Sequence, residues 1–477
     1  MQQHFMKRIT NKFYLKYTFL ASVLICASLS CKVTKPYKQP DLNTSDLYRG
    51  QSTADTTTIA NMPWESLFAD TVLKALIREG LYQNLNLKAA IQKIAEAQAT
   101  LGQSKAAFLP NLSGNASVAR SKQSAASLDF PPGFSINTVT TSYQLGLTSS
   151  WEADIWGQLS SAKKAAYANL LQTDAAKRAV QTQLIADIAD NYYALLAYDK
   201  ELDILDKTLQ NRIKDVETMK TLKEGDVVNG AAVVQSEANR YAAEVAMPDV
   251  KRNIRETENA IDILVGRPPG PLNRAKLDDQ SLTTNLQAGI PSQLLKNRPD
   301  VQQAGYAFRT AFENTNVAHT YFYQAFTITA SGGFSNLQLK DFFVNSIFYN
   351  IAAGLTQPIF NQGANKARLK TAQAQQLEAL YNYQQTLLTT GQEVSNALYA
   401  YQTGIEKDSS RSKEIVALEK SVDYTEQLLR YSSATNYNDV LTSEQNLLAA
   451  QLSGVNDRLQ QLQAIVNLYR ALGGGWR

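Results

Sequence analysis

Side chains that could perform catalysis or bind a metal are scarce in this 477-residue sequence. It contains only two histidines, His4 and His319, and two cysteines, Cys26 and Cys31. These numbers exclude a disulfide framework and a structural zinc site, which needs about four Cys or His ligands. The carboxylates are spread along predicted helices and form no pair suited to general acid–base catalysis. The sequence therefore predicts no enzyme, no metal site and no cofactor.

Phosphate binding by a glycine-rich loop is a second kind of chemistry to consider. Such a loop follows a strand, leads into a helix with a lysine, and presents backbone N–H groups to the phosphates. Residues 266–270 read Gly-Arg-Pro-Pro-Gly, and the two prolines stand where N–H donors would be needed. We interpret this segment as the start of a linker, residues 267–290, and not as a phosphate site.

The charge of the chain gives no support for a nucleic-acid partner. There are 47 basic and 43 acidic residues, and 19% of the chain is charged, against about 25% in typical soluble domains. Four of the basic residues, Lys7, Arg8, Lys12 and Lys16, lie within residues 1–30, which contain no acid. The rest of the chain is neutral overall and lacks the basic character that nucleic-acid binding requires.

One cysteine, Cys31, has a predicted chemical role. A basic region and the apolar residues 17–27 precede it, which predicts that residues 1–30 are a secretory signal peptide. The apolar run of about eleven residues is shorter than the ~20 that span a membrane. Because Cys31 follows small Ser30, the site resembles a lipobox, in which the thiol is acylated and becomes the first mature residue. Signal cleavage without acylation is the alternative. Export with a lipid anchor predicts a bacterial envelope protein, with residues 31–65 as a lipidated extended segment.

Four segments of the mature chain alternate between apolar and small polar residues. Their apolar positions are Leu112, Ala116 and Val118; Tyr143, Leu145, Leu147 and Trp151; Phe326, Ile328, Ala330 and Phe334; and Tyr349, Ile351, Ala353 and Leu355. The intervening positions are uncharged, as expected of strands with lipid on one face and a water-filled lumen on the other. Each run has about the 9–11 residues of a tilted membrane-spanning strand. A small soluble β-layer is the alternative, but its polar face would often be charged.

Four strands are too few to close a membrane barrel, because the smallest such barrels have about eight. Open sheet edges in lipid would leave backbone groups without hydrogen bonds, at several kcal/mol each. The sequence therefore predicts that other copies of this chain complete the barrel.

The remainder of the mature chain follows one pattern twice. The pairs Ile155/Ile359 and Trp156/Phe360 have the same separation, and each precedes a long proline-free run rich in Ala, Lys and Gln. Apolar residues at three- and four-residue spacing in these runs indicate packing faces of long helices. We assign residues 66–266 and 291–477 to two repeats, each with a helix, two strands and a long helical hairpin. Gln, Asn and Thr on the opposite faces suit an aqueous channel.

Short motifs along the chain resemble those of the outer-membrane efflux lipoproteins related to TolC. They are residues 84–90 (Asn-Leu-Asn-Leu-Lys-Ala-Ala), 108–110 (Phe-Leu-Pro), 154–157 (Asp-Ile-Trp-Gly), 297–300 (Asn-Arg-Pro-Asp), 357–360 (Gln-Pro-Ile-Phe) and the ending at 464–476. They cover nearly the whole mature chain in family order. The resemblance implies a mixed α and β membrane protein with the TolC-like fold. In that fold a trimeric 12-stranded β-barrel, with four strands per chain, is continuous with a long α-helical coiled-coil periplasmic tunnel.

The resemblance also implies a function in the cell outer membrane. The chain would be the exit duct of a tripartite efflux pump, which passes drugs, metals or other small molecules to the outside. Its implied partners are two further copies in a homotrimer, a periplasmic adaptor (membrane fusion) protein, an inner-membrane pump and outer-membrane lipid. Two alternatives stay open, the channel of a type I protein secretion system and a structural envelope coiled-coil lipoprotein. The lipobox and the Leu-Gly-Gly-Gly-Trp ending favour efflux.

The two hairpin turns are expected to form the periplasmic entrance. The predicted gate residues are Glu224, Asp226, Tyr437 and Asp439, and the predicted adaptor-contact residues are Gly225, Asn229, Ser433 and Asn436. In a trimer Asp226 and Asp439 would lie near the symmetry axis, where carboxylates repel unless cations or donors bridge them. The alternative for Asp439 is a helix-capping role after Asn436. The arginine that holds the entrance closed in some relatives has no match near the second turn.

Overall fold

The computed structural model describes residues 33–49, 56–124, 137–281, 288–431 and 436–477, which form two compact units. The sheet unit contains the described residues up to Gln39 together with Gln98–Asn169 and Phe308–Glu378. The helical unit contains the described residues of Pro40–Ala97, Leu170–Ala307 and Ala379–Arg477. Within these ranges no helix has both the length and the apolar character needed to cross a membrane.

Long helices make up most of the described chain. In order they are α1 (Thr71–Gln83), α2 (Leu85–Ala106), α3 (Gln158–Glu224), α4 (Gly230–Val265), α5 (Pro299–Thr320), α6 (Ala364–Tyr431) and α7 (Tyr437–Ala471). Shorter helical turns occur at Ile59–Asn61, Trp64–Leu67, Leu277–Asp279, Pro291–Gln293, Leu294–Asn297 and Leu339–Asp341. The helices α3 and α6 have 67 and 68 residues. Their length confirms the prediction from the proline-free runs, because a proline would remove a backbone donor from the helix interior.

The four alternating segments form one antiparallel sheet in the order β1 (Asn111–Lys122), β2 (Val139–Ala153), β3 (Ala325–Asn336), β4 (Ile347–Thr356). The register places Ala116 opposite Leu145, Leu145 opposite Phe334, and Phe334 opposite Ile347. Apolar residues of all four strands therefore share one face, as predicted from their period of two. Large side chains on this face, such as Ile347, remain exposed in the single chain. The strands β1 and β4 are the edges of the sheet.

Aromatic residues lie where the sheet meets the helices. The indole N–H of Trp151 donates to the Phe108 carbonyl at 2.9 Å, and that of Trp156 donates to the Gln324 carbonyl at 2.8 Å. The Trp156 ring also packs against Tyr323, with centroids 5.0 Å apart. Such amphipathic rings are typical of the girdle where a membrane barrel meets water.

The core of the helical unit is formed where α3 packs against α1, α4 and α7. Its fully buried side chains include Ile77, Ile188, Leu195, Ile261 and Leu468. Burying each such side chain contributes about 1.5–3 kcal/mol relative to exposure. This core holds the helical hairpins in a fixed register against each other.

A polar network at Asp70 fixes the start of α1 to this core. One carboxylate oxygen accepts from the N–H groups of Val72 and Leu73, at 2.7 and 3.3 Å, which caps the helix. The other accepts from the Tyr192 hydroxyl at 2.6 Å and from the Gln280 amide at 2.9 Å. The network therefore joins α1, α3 and the segment that follows α4.

Candidate functional site

The first hairpin turn joins α3 to α4. Backbone bonds close it, with the Asp226 N–H donating to the Lys223 carbonyl at 3.0 Å. Asp226 adopts a left-handed conformation (φ 56°), which Asp tolerates better than most residues. The Asn229 side chain accepts from the Ala232 N–H at 3.2 Å and caps α4. Glu224, Gly225, Asp226 and Asn229 are all exposed, so the side chains of this turn face solvent in the single chain.

The second hairpin turn leads into α7, and its residues 432–435, which include Ser433, lie outside the described residues. The Asn436 side chain accepts from the N–H groups of Asn438 and Asp439, at 2.9 and 3.3 Å. The Asp439 carboxylate accepts in return from the Asn436 N–H at 3.2 Å. This reciprocal pair is a capping box, which satisfies two donors at the helix start. Asp439 therefore has the capping role, and its side chain is exposed.

Tyr437 lies between the two hairpins. It is buried against Met219 of α3, Val233 of α4 and Leu441 of α7. Leu222 and Val228, on either side of the first turn, pack against the same cluster, so the start of α7 lies beside the first turn. Burial, with a smaller effect from the charge of Asp215, raises the pKa of Tyr437 to about 12. Tyr437, one of the predicted gate residues, therefore contributes to the apolar packing between the hairpins.

An ion pair that the sequence did not predict joins α3 to α7 close to this cluster. Arg212 of α3, only 4% exposed, donates to the carboxylate of Glu444 on α7 and lies 3.7 Å from Asp215. Burial, together with the neighbouring Asp215 charge, raises the pKa of Glu444 to about 7, although the Arg212 charge opposes the shift. Burial also raises the pKa of Asp215. The pair links the two hairpins by charge next to their apolar contact.

Sequence reasoning could not find this pair. Arg212 and Asp215 are spaced for contact on one helix, which is visible in the sequence. Glu444, however, is 232 residues away from Arg212, and only the register of α3 against α7 brings them together.

Two of the sequence motifs meet in the helical unit. The Trp476 indole N–H donates to the Asn297 carbonyl at 2.9 Å, and the Arg178 guanidinium lies 4.7 Å from the Trp476 ring centroid. Arg298 bonds Glu393 and Asp300, at 2.8 and 2.6 Å. The ending of the chain is therefore a docked structural element. Cys31 lies outside the described residues.

No group of three or more His, Cys, Asp or Glu side chains that could hold a metal occurs in the described ranges. The described elements are instead a sheet with an exposed apolar face and long paired helices, with the start of α7 packed beside the turn between α3 and α4. Such an arrangement suits a membrane-inserted channel.

Comparison with known proteins decides the family. The model of the outer membrane efflux protein family matches residues 76–267 and 290–474. The chain belongs to this family. It is 28% identical to the cation efflux system protein CusC of Escherichia coli, over 87% of this chain and 89% of CusC. It is 27% identical to the solvent efflux pump outer membrane protein SrpC of Pseudomonas putida, covering 94% and 96% of the two chains.

Further comparison supports the fold and the cellular location. The probable outer membrane lipoprotein SilC of Salmonella typhimurium is 27% identical, covering 97% of this chain and 99% of SilC. A crystal structure of CusC superposes with a TM-score of 0.82 at 26% identity, covering 93% of this chain and all of that one.

The protein is therefore an outer-membrane efflux channel with a TolC-like fold, and it is not an enzyme. Its sheet is the four-stranded share of a trimeric barrel, and its helices are periplasmic. Channels of this family work as homotrimers with adaptor proteins and inner-membrane pumps. These findings confirm the family, the fold class and the efflux function, and favour efflux over protein secretion or a purely structural role.

Proposed function

We propose that the two hairpin turns form the periplasmic entrance of this channel, where the adaptor binds and solutes enter. The supporting observation is the cluster of Met219, Val233, Tyr437 and Leu441, which packs the start of α7 against α3 and α4 beside the first turn. In the trimer six exposed carboxylates, from Asp226 and Asp439 of each chain, would surround the opening. Such a ring attracts cations and repels anions.

The substrate class follows from this ring. CusC and SrpC are named for cation efflux and solvent efflux, respectively. For this chain we propose small molecules, with cationic solutes entering preferentially because the entrance carboxylates raise their local concentration. The inner-membrane pump selects among them, since a wide duct discriminates little by size.

Two further predictions from the sequence extend this proposal. We propose that Cys31 is acylated and adds a lipid anchor to the barrel. Backbone bonds of Lys35 with the Asn316 side chain, at 3.0 and 2.9 Å, hold the segment after Cys31 within the sheet unit. We also propose that residues 66–266 and 291–477 are structural repeats, in line with two strands followed by two long helices in each.

Single-channel recording in planar bilayers tests the entrance. Wild-type trimers should be cation-selective, and a trivalent cation such as hexamminecobalt should block them from the periplasmic side. Asp226→Asn and Asp439→Asn should each weaken this block by about tenfold, since each removes three charges from the ring. Asparagine at 439 can still accept from the Asn436 N–H, so the cap is retained.

Asp249→Asn, on the exposed surface of α4, is the charge-matched control and should leave the block unchanged. Unchanged block in both entrance variants would contradict the proposed ring. Cysteines introduced at Gly225 or Asn229 should crosslink to the adaptor in higher yield than a cysteine introduced at Asp249. Equal yields at all three positions would contradict the adaptor contact.

A further inference from the structure

Two cations interrupt the apolar face of the sheet near one end of β1. Arg120 and Lys122 are opposite Thr141 and Val139 of β2, on the same face as Val118 and Tyr143. They are the only Lys or Arg side chains on the described strands, and both are exposed. A charge on the lipid-facing surface of a barrel costs about 2–4 kcal/mol at the membrane midplane and little near its boundary.

These cations lie at the external boundary of the membrane. The helix α2 precedes β1 and α3 follows β2, so the helices leave the sheet at the end marked by Asn111 and Ala153. Because the helices are periplasmic, the opposite end, with Lys122 and Val139, faces the outside.

Aromatic residues mark where the apolar band ends on this side. Tyr143 is the aromatic residue of β2 nearest the external end. On β3, Phe334 packs against Phe343, with ring centroids 5.1 Å apart. At ~3.3 Å per residue, Arg120 and Lys122 lie roughly 7 and 13 Å beyond Tyr143 along the strand. They are therefore outside the acyl-chain region and at the depth of the headgroups.

Neither cation has an ion-pair partner among the residues that the structure describes. Their strand neighbours on the same face, Thr141 and Val139, are uncharged. Successive same-face residues of a strand are ~7 Å apart, so one anionic group can lie between the two side chains. Arg offers paired N–H donors that match phosphate geometry, and Lys adds a mobile point charge.

We propose that Arg120 and Lys122 bind the phosphate of an anionic lipid headgroup in the external leaflet. The acyl chains of this lipid lie along the apolar face below, against Val118, Tyr143 and Leu145. Because the two cations adjoin an apolar surface, the site should bind a lipid better than free phosphate, which has no apolar part. Although β1 is an edge strand, barrel closure uses its backbone groups, so these side chains stay directed toward lipid. The trimer has three such sites.

Native mass spectrometry of the full-length trimer in detergent tests this site. The probes are diphosphorylated lipid A, the same lipid with its phosphates removed, and inorganic phosphate. We expect up to three lipid A molecules per trimer, weaker binding of the dephosphorylated lipid, and no displacement by a tenfold excess of inorganic phosphate. The variant Arg120→Gln/Lys122→Gln should bind lipid A about 30-fold more weakly, because each cation contributes about 1 kcal/mol to the binding free energy.

Two control variants make the result specific. Arg120→Lys/Lys122→Arg keeps both charges and should bind lipid A within about threefold of wild type. Lys93→Gln/Lys251→Gln removes two exposed cations from the helices and should leave binding unchanged. Equal lipid A binding by wild type and Arg120→Gln/Lys122→Gln would overturn the proposal, as would displacement of lipid A by inorganic phosphate or an equal loss in the helix control.

Discussion

Replacing Arg212 by methionine should loosen the contact between the two hairpins near their turns. The methionine keeps the apolar length of the side chain but leaves the Glu444 carboxylate without its cation. Removing one partner of a buried pair costs about 3–5 kcal/mol. Because Glu444 retains 13% exposure, we expect the lower end, about 3 kcal/mol, in the free energy of local opening. That energy raises the opening equilibrium about 100-fold.

Hydrogen exchange of the detergent-solubilised trimer measures this opening. Peptides covering the first turns of α7 and the last turns of α3 should exchange about 100-fold faster in Arg212→Met, after correction for intrinsic rates. Arg252→Met is the matched control, because Arg252 is 62% exposed and pairs only with surface carboxylates. It should change exchange little, since exposed pairs contribute about 0–1 kcal/mol.

The effect of Arg212→Met on local opening should depend on pH in a definite direction. The folded-state pKa of Glu444 is about 7, above its ordinary value of 4.5, so the folded protein holds a proton that the unfolded chain releases. The stabilisation from this group is complete below pH 4.5 and is lost as the pH rises through 7. At pH 5.5 Glu444 is neutral and the missing cation matters less, so Arg212→Met should differ from wild type more at pH 8.

A double variant separates charge from packing. Arg212→Met/Glu444→Leu leaves no unpaired charge from this pair, and should recover most of the lost protection because apolar replacements of buried pairs are often neutral. The reasoning would be refuted if Arg212→Met exchanged like wild type at pH 8, or if the double variant were as open as the single one.

Three further outcomes are expected. Cys31→Ala should abolish acyl labelling of the mature protein, and mass spectrometry showing an unmodified wild-type N-terminus would contradict the anchor. Gly473→Ala should cost about 2–3 kcal/mol in stability, because residue 473 has φ 88° and its Cβ would lie 2.4 Å from a carbonyl oxygen. Gly270→Ala is the control: a Cβ at residue 270 would have open space, so thermal unfolding should be nearly unchanged. Asp70→Ala should lower stability by about 2 kcal/mol, because α1 loses its cap and the Tyr192 hydroxyl loses the acceptor of its proton while still accepting from the Ala275 N–H. Asp70→Asn should recover much of this loss, and equal melting temperatures for the two variants would exclude the capping contribution.

Local patterns in the sequence were enough to predict the helices and strands and their apolar faces. Alternation at Tyr143, Leu145 and Leu147 was sufficient to predict a strand with one apolar face, because side chains of a strand alternate with a period of two. The proline-free runs similarly predicted α3 and α6. These features depend on residues close together in the chain, so local patterns encode them.

Contacts between distant segments depend on how the helices pack in three dimensions. The Tyr437 side chain, predicted at the gate, is buried between hairpins, and Arg212 meets Glu444 across two helices. The same holds for Asn297 and Trp476, whose motifs were recognised separately but whose contact was not foreseen. An apolar stripe tells which face of a helix packs, whereas the partner across it depends on the axial register of two long helices. That register is set by the sum of many core contacts, and no single local pattern specifies it.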